Sequence, residues 1–412
     1  MNKYFDIKDS LYEITKKYPE TLDLFISIGF ENMKDEKKRE VIGKSISLEM
    51  ALLTKKINVN TFTERLVEII EEKKNAVDQA LIQKAKKVKS DVKIDGILPC
   101  PVRVPLMDAF SKWMDDIGSK LNITVDYELK AASSGVDWLK ESIKKAESEE
   151  DLSDLFISAG FDLFFDNNLM GKFKSKGIFE DITGFEKLNK DFDNEYINLK
   201  DPNGQYSMIG VAPAVFLINI DELNGREMPK SWEDILKPEF ENSVSLPIRD
   251  FDLFNSILLN IYKKYGEDGI KRLGRSLLKS MHPSQMVKSH IKKSTKPVVS
   301  IMPYFFTWMT KNAGPMKAVW PDDGAIISPI FMLSKKSKKD KIKPFVDFFA
   351  SKEVGEILAY NGKMPSVNPY VDNMIPKDYK YMWIGWDYLN NNDIGKIIKE
   401  CEKIFNESIL HL

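Results

Sequence analysis

The chain has 412 residues, 43% of them hydrophobic, and its 61 Lys and Arg residues nearly balance 62 Asp and Glu residues to give a net charge of -1. This length allows about two or three domains with a large core, and the balanced charge argues against a dedicated nucleic-acid surface, which shows a clustered basic excess. The longest apolar runs are about ten residues, well below the ~20 residues that a membrane-spanning helix needs.

The few cysteines and histidines predict neither a disulfide framework nor a metal site. Cys100 and Cys401 are far apart in the sequence, and His282, His290 and His411 are scattered. Structural zinc sites use closely spaced Cys and His pairs, which this sequence lacks. We therefore expect no cofactor and no bound metal.

Residues 1–72 predict a small all-α domain. Its helix starts are marked by capping residues at Asp9 or Ser10, Thr21, Ser47 and Thr61. Residues 73–91 follow, and their nearly all-polar composition indicates a charged helical linker.

The step Tyr18-Pro19-Glu20, followed by Gly29, resembles a short helical domain of uncharacterised function that often precedes redox or iron–sulfur proteins. Members of that family commonly carry two cysteines just after this glycine, whereas this chain has residues 30–33, Phe-Glu-Asn-Met. A redox or metal role is therefore not expected. A docking or packing module, able to contact a protein partner, is the favoured interpretation.

From Val92 onward, strands alternate with helices, which is typical of βαβ units. The first predicted strands are residues 92–98, 124–130, 155–158 and 243–246. We therefore predict an α/β domain over residues 92–412.

Three later segments have the most specific patterns. Residues 207–219 predict an apolar strand pair with Pro213 in its middle, and residues 229–240 contain a Pro-Lys-Ser-Trp-Glu-Asp-Ile-Leu sequence. Residues 320–365 predict a turn, a buried strand, a basic turn that begins at Lys335, and two short amphipathic helices. The lysines of the basic turn are expected to be solvated.

In this order and spacing, the three segments resemble the type II, periplasmic-binding-protein-like solute-binding proteins of ABC importers, over about residues 92–370. Within that superfamily the likeness is to the branch of ferric-iron, thiamine, polyamine and phosphonate receptors. The resemblance implies a two-lobed clamshell, with lobe 1 at about 92–212 and 320–412 and lobe 2 at about 213–319. It also implies a solute bound between the lobes, in a family whose members are usually extracytoplasmic.

Ligands of open α/β sheets collect beyond the carboxyl ends of strands, near helix N-termini that favour anions. The loops in question are residues 99–103, 132–136, 159–162 and 248–252. Arg103 and Arg249, one in each lobe, are predicted to hold an anion with their guanidinium groups, although a surface salt bridge would also explain each. The other candidate ligand-binding residues in these loops are Cys100, Ser133, Ser134, Gly160 and Asp250, and helix capping explains the two serines equally well.

Three further candidates follow: His282 in a predicted interlobe loop, Tyr304 in a strand-to-helix turn, and Trp320 before the apolar strand. Ferric-iron receptors of the resembled family often bind the metal with adjacent tyrosines, whereas here Phe305 and Phe306 follow Tyr304. Direct coordination of ferric iron is therefore not expected.

Three functions stay open from the sequence. The first is a non-enzymatic receptor that closes on a small polar or anionic solute, with an iron-related ligand among the options. The second is an enzyme on the same fold that uses Cys100, and the third is a scaffold with a vestigial cleft that recruits a partner through residues 1–72. Charges interrupt residues 1–9, so we recognise no signal peptide and expect a cytoplasmic sensor or carrier without membrane insertion.

Overall fold

The structure is a computed structural model that describes residues 4–27, 30–54, 59, 62–63, 66–67, 69–70, 90–132, 135–248, 252–281, 283–287, 289–291, 295–310 and 314–410. The chain forms two compact units, Met1–Lys89 and Ser90–Leu412.

The N-terminal unit consists of short helices around a small apolar core. They include α1 (Leu11–Lys17), α2 (Leu22–Ser27), α3 (Glu36–Lys44) and α4 (Leu48–Thr54). Ser10 caps α1, because its hydroxyl accepts the Glu13 N–H at 3.2 Å while the Glu13 carboxylate accepts the Ser10 N–H at 3.0 Å. The sequence missed α3, whose apolar residues Val41 and Ile42 face solvent and give no amphipathic signal.

The second unit is built on a mixed sheet with ten strands in the described residues. They are β1 (Val92–Leu98), β2 (Val125–Ala131), β3 (Leu155–Ser158), β4 (Tyr206–Asn219), β5 (Val244–Leu246), β6 (Leu277–Ser280), β7 (Val299–Pro303), β8 (Met316–Val319), β9 (Ala325–Ser334) and β10 (Tyr381–Met382). The order is β2-β1-β3-β9-β4-β7-β5-β6, with β10 beside β9 and β8 beside β4. The predicted α/β class is confirmed.

Helices cover this sheet. They are α5 (Cys100–Asp116), α6 (Asp137–Lys145), α7 (Phe161–Phe165), α8 (Gly171–Lys174), α9 (Trp232–Ile235), α10 (Leu253–Ser276), α11 (Pro283–Met286), α12 (Tyr304–Thr307), α13 (Lys339–Phe349), α14 (Lys352–Glu356), α15 (Trp386–Asn391) and α16 (Ile394–Glu407). We call the part built on β1–β3 the first lobe and the part built on β5–β7 the second lobe.

Strand β9 shows why both faces of the sheet must be covered. All ten of its residues are buried, as predicted for this apolar run. Phe331 and Leu333 pack into one core of the first lobe, while Ile330 and Met332 pack into another. Side chains alternate between the two faces of a strand, so helices pack on both sides of the sheet.

Strands β4 and β9 belong to both lobes. The sequence predicted a strand pair at residues 207–219, but β4 is a single strand of 14 residues with Pro213 opposite Ile327 of β9. Its first residues pair with the end of β9 that also pairs with β3, and residues 214–218 pair with β7. Two antiparallel strands therefore run continuously from one lobe to the other.

Two of the sequence motifs meet in the second lobe. The buried indole of Trp232 donates to the Gly324 carbonyl at 2.9 Å, and the Asp323 carboxylate accepts the Trp232 backbone N–H at 3.1 Å. The Gly324 N–H closes the predicted turn on the Pro321 carbonyl at 2.9 Å. This turn fixes the start of β9 against the start of α9.

Helix α16 lies within residues 320–412, which the sequence assigned to lobe 1, and it packs against the cores of both lobes. Ile394 and Ile398 join the first-lobe core, whereas Cys401 and Phe405 join the second-lobe core. The Phe405 ring lies 5.1 Å from that of Phe254 in α10. One amphipathic helix thus connects the two cores.

Lys335 is buried, which corrects the prediction of a wholly solvated basic turn. Its side-chain Nζ lies 3.1 Å from a carboxylate oxygen of Asp154 and donates to the Leu152 carbonyl at 2.9 Å. The other carboxylate oxygen of Asp154 accepts the Lys93 N–H at 2.9 Å. The ammonium thus joins the end of β9 to the segment before β3.

We expect Lys335→Met to lower the free energy of unfolding by about 3 kcal/mol, because it leaves the Asp154 carboxylate buried without its cation. Lys336→Met, at the exposed neighbouring position, should change it by less than about 0.5 kcal/mol. Urea unfolding monitored by tryptophan fluorescence measures both. Equal effects of the two substitutions would contradict a structural role for the buried pair.

Candidate functional site

Three elements meet at the junction between the lobes. The Asp252 carboxylate, just before α10 of the second lobe, accepts the backbone N–H of Phe161 in the first lobe at 3.0 Å. It also accepts the hydroxyl of Ser328 in β9 at 3.3 Å and the side-chain amide of Asn255 at 3.3 Å. We call Phe161, Asp252, Asn255 and Ser328 the junction cluster.

Gly160 gives the first lobe the backbone shape that the junction requires. Its φ of 133° lies in a region that L side chains rarely adopt, and an added Cβ would lie 2.9 Å from Cβ of Leu163. Glycine at this position lets the chain turn from β3 into α7 and directs the Phe161 N–H toward Asp252. Gly160, a predicted site residue, is therefore adjacent to the junction cluster.

Asp252 has an unusual backbone conformation for its place in the chain. It occupies the N-cap position of α10, where aspartate usually accepts an N–H of its own helix, but its side chain makes no such bond. Its φ of 49° is left-handed, which aspartate tolerates better than most residues. The carboxylate consequently points to the other lobe.

The surroundings of Asp252 disfavour the ionised form of its carboxyl group. Burial, and to a lesser extent the carboxylate of Asp162, raise the pKa of Asp252 to about 8. Asp162 forms an ion pair with Lys140 of α6. Glu402 of α16 interacts through space with Asp162 and Lys140. A neutral Asp252 keeps both its acceptor role and a proton to donate.

The predicted residues Tyr304 and Trp320 come together in an aromatic cluster. The Trp320 ring lies 5.2 Å from that of Tyr304, 4.6 Å from that of Tyr379 and 5.5 Å from that of Tyr381. The indole N–H of Trp320 donates to the Lys380 carbonyl at 2.6 Å. Tyr304 begins α12 directly after β7, so the predicted strand-to-helix turn is confirmed.

Cys100 and Arg103 lie in a helix, although residues 99–103 were predicted to form a loop. Helix α5 begins at Cys100, and Pro101 suits this first turn because its ring presets a helical φ. Arg103 is 2% exposed, with Nη2 3.5 Å from the Leu129 carbonyl of β2. Its guanidinium thus faces the first-lobe sheet in this structure. An anion-binding role for Arg103 stays a prediction.

Five predicted residues lie outside the described residues: Ser133, Ser134, Arg249, Asp250 and His282. The segment after His282, predicted as a loop, forms helix α11 instead. Sequence reasoning missed Asp252 and Ser328 as individual site residues. The loop 248–252 was recognised, but the direction of the Asp252 side chain depends on a left-handed backbone that no local pattern shows.

The described residues contain surface pockets of about 130 Å³ and about 490 Å³ beside Lys237 and Glu239 of the second lobe, lined by residues outside the junction cluster. No group of three or more Cys, His, Asp or Glu side chains in these residues is arranged to hold a metal ion. No helix formed by them combines the length and apolar character needed to cross a membrane.

The model of a protein family described as bacterial extracellular solute-binding proteins matches residues 150–392, more than half of the chain. A family model for a domain of unknown function matches residues 5–63. No curated protein matches the chain. The description of the larger family as extracellular does not support the expected cytoplasmic location.

Solved structures of binding proteins share the fold. The ferric binding protein of Campylobacter jejuni is 16% identical, with a TM-score of 0.53, and the match covers 77% of this chain and 99% of that one. AfuA of Actinobacillus pleuropneumoniae, solved with fructose-6-phosphate, is 13% identical, with a TM-score of 0.55 and coverage of 77% and 99%. A Trichodesmium protein in complex with iron and citrate is 12% identical, with a TM-score of 0.54 and coverage of 77% and 98%. The two-lobed fold expected from the sequence is confirmed.

We expect Gly160→Ala to lower the free energy of unfolding by about 3 kcal/mol, because a Cβ is strained at this φ and meets Leu163. Gly177→Ala is the matched control: its φ of 61° is ordinary left-handed backbone and no atom lies within 4 Å of the added Cβ, so about 1 kcal/mol is expected. Urea unfolding of the two variants tests the difference. Equal losses would show that Gly160 is not constrained by the junction.

Proposed function

Because this chain belongs to the family of bacterial extracellular solute-binding proteins, we propose that it binds a small oxyanion, a carboxylate or a phosphate ester, between its two lobes. The contact that carries the proposal is the set of donors around Asp252. A backbone N–H, a hydroxyl and a side-chain amide converge on one carboxylate. Such donors bind the oxygens of an anion.

The Asp252 carboxylate shows what chemistry the junction accepts. Its two oxygens are satisfied from three directions: the first lobe, the second lobe and the crossing strand β9. A solute carboxylate or phosphate presents the same acceptor oxygens, so it can replace Asp252 at these donors. A ligand held from both lobes stabilises the closed form.

Two of the three structural neighbours were solved with a ligand of this chemical class. One neighbour is a ferric binding protein, one was solved with fructose-6-phosphate and one with iron and citrate. Phosphate and citrate oxygens are anionic acceptors. We extend this class to the present chain, with metal chelates of carboxylates included, because the junction donors are N–H and O–H groups rather than metal ligands.

A thermal-shift screen of phosphate esters, di- and tricarboxylates and ferric citrate tests the proposal. A true ligand at 100 times its Kd should stabilise the protein by about 2.7 kcal/mol. Ser328→Ala should weaken its binding by about tenfold, because a hydroxyl donor to a charged group is lost.

Ser207→Ala is the matched control. The Ser207 hydroxyl lies on the partner strand β4 and donates to the Met332 carbonyl at 2.8 Å, away from the junction cluster. Isothermal titration of both variants with the best ligand should show the loss for Ser328→Ala only. If none of these anions raises the melting temperature, or if both serine variants bind equally well, the proposal is wrong.

A further inference from the structure

We propose that Asp252 is a proton-dependent latch between the two lobes, which holds them together through Phe161 and Ser328 and which a bound solute must displace. The displacement rests on the proposed function, whereas the latch itself rests on the geometry of the junction cluster.

The latch replaces an ordinary helix cap. In the N-cap position, a carboxylate normally satisfies an N–H of its own helix, and α10 is a long helix of 24 residues. Asp252 makes no cap bond and adopts a left-handed backbone, yet it accepts the N–H of Phe161 in the other lobe at 3.0 Å. A local stabilising contact is thus given up for one that spans the lobes.

Separation of the lobes would not affect the three contacts equally. Asn255 lies in the same helix that Asp252 precedes, so that contact moves with the second lobe. Phe161 is in the first lobe, and Ser328 is in β9, which passes through both. Opening therefore releases the Phe161 N–H first and exposes the carboxylate to water.

The charges around Asp252 make this contact depend on pH. From α7, Asp162 faces it, and Lys140 of α6 pairs with Asp162. From α16, Glu402 interacts through space with Asp162, and Lys140 and Lys399 lie close enough to act on Glu402. The partners of Asp252 from α10 and β9 are the neutral Asn255 and Ser328. The junction therefore favours the protonated, neutral form of Asp252.

The direction of the pH effect follows from linkage. The pKa of Asp252 is raised to about 8 in the closed form, whereas an aspartate in water has a pKa of about 3.9. The closed form therefore binds the proton more tightly than the open form. The stabilisation of the closed form by protonation of Asp252 is complete at low pH and is lost as the pH rises through 8.

Hydrogen exchange at the Phe161 amide of the full chain, resolved by mass spectrometry and corrected for the intrinsic exchange rate, measures opening directly. Without any added solute, the protection factor should fall as the pH rises from 6 to 8, by up to about tenfold per pH unit for one proton. It should then level off between pH 8 and 9.5. A protection factor that stays constant over this range would overturn the proposal.

Two substitutions separate the charge from the contact. Asp252→Asn keeps an acceptor for Phe161 and a donor for Ser328 but cannot titrate, so its protection should be high and independent of pH. Asp252→Ala should lose protection by tenfold or more at pH 6. Asp268→Asn, at an exposed aspartate of the same helix, should follow the wild type. If Asp252→Asn retains the wild-type pH dependence, the latch is excluded.

The solute screen and the exchange experiment fail independently. A screen without a ligand refutes the proposed function but leaves the pH dependence of Phe161 protection intact. If a ligand is found, Asp252→Ala should bind it more tightly than the wild type, because no carboxylate competes for the junction donors. Weaker binding by this variant would identify Asp252 as a ligand contact and refute displacement.

Discussion

The antiparallel pairing of β4 with β9 is the constraint on which the rest of the second unit depends. Both strands pass through both lobes, so the backbone hydrogen bonds of each lobe's sheet include theirs. The junction cluster can form only where the strand pair passes from one lobe to the other, because Ser328 lies near the middle of β9, opposite Ala212 of β4. A bend in this pair changes the distance between the lobes without breaking either sheet.

This arrangement couples the contacts of the junction cluster to the relative position of the lobes. The donors around Asp252 come from three elements that are far apart in the sequence, and Phe161 and Asp252 are separated by 91 residues. Relative motion of the lobes therefore changes their number and direction together. In a receptor, the contacts to the ligand must change with the conformation of the protein. The strand pair links the two because it runs through both lobes.

The sequence predicted most of the elements that have strong periodic signals. Strands β1 and β2 and the buried strand β9 were found because long apolar or alternating runs dictate burial. Short strands such as β6, β8 and β10 were missed, since two to four residues carry little pattern. The burial of Lys335 was unpredictable because its partner Asp154 is 181 residues away. The orientation of Asp252 depends on a left-handed backbone that tertiary contacts impose.

Helix α16 has a consequence for how the chain reaches its native state. Its residues enter both cores, yet they follow every strand of the sheet in the sequence. During synthesis, the apolar core residues that α16 covers in each lobe therefore stay exposed until residues 394–405 have emerged and packed. Because α16 comes last, the two lobes are completed together in one late step. A chain arrested before this helix would expose the uncovered core residues of both lobes to chaperones and proteases.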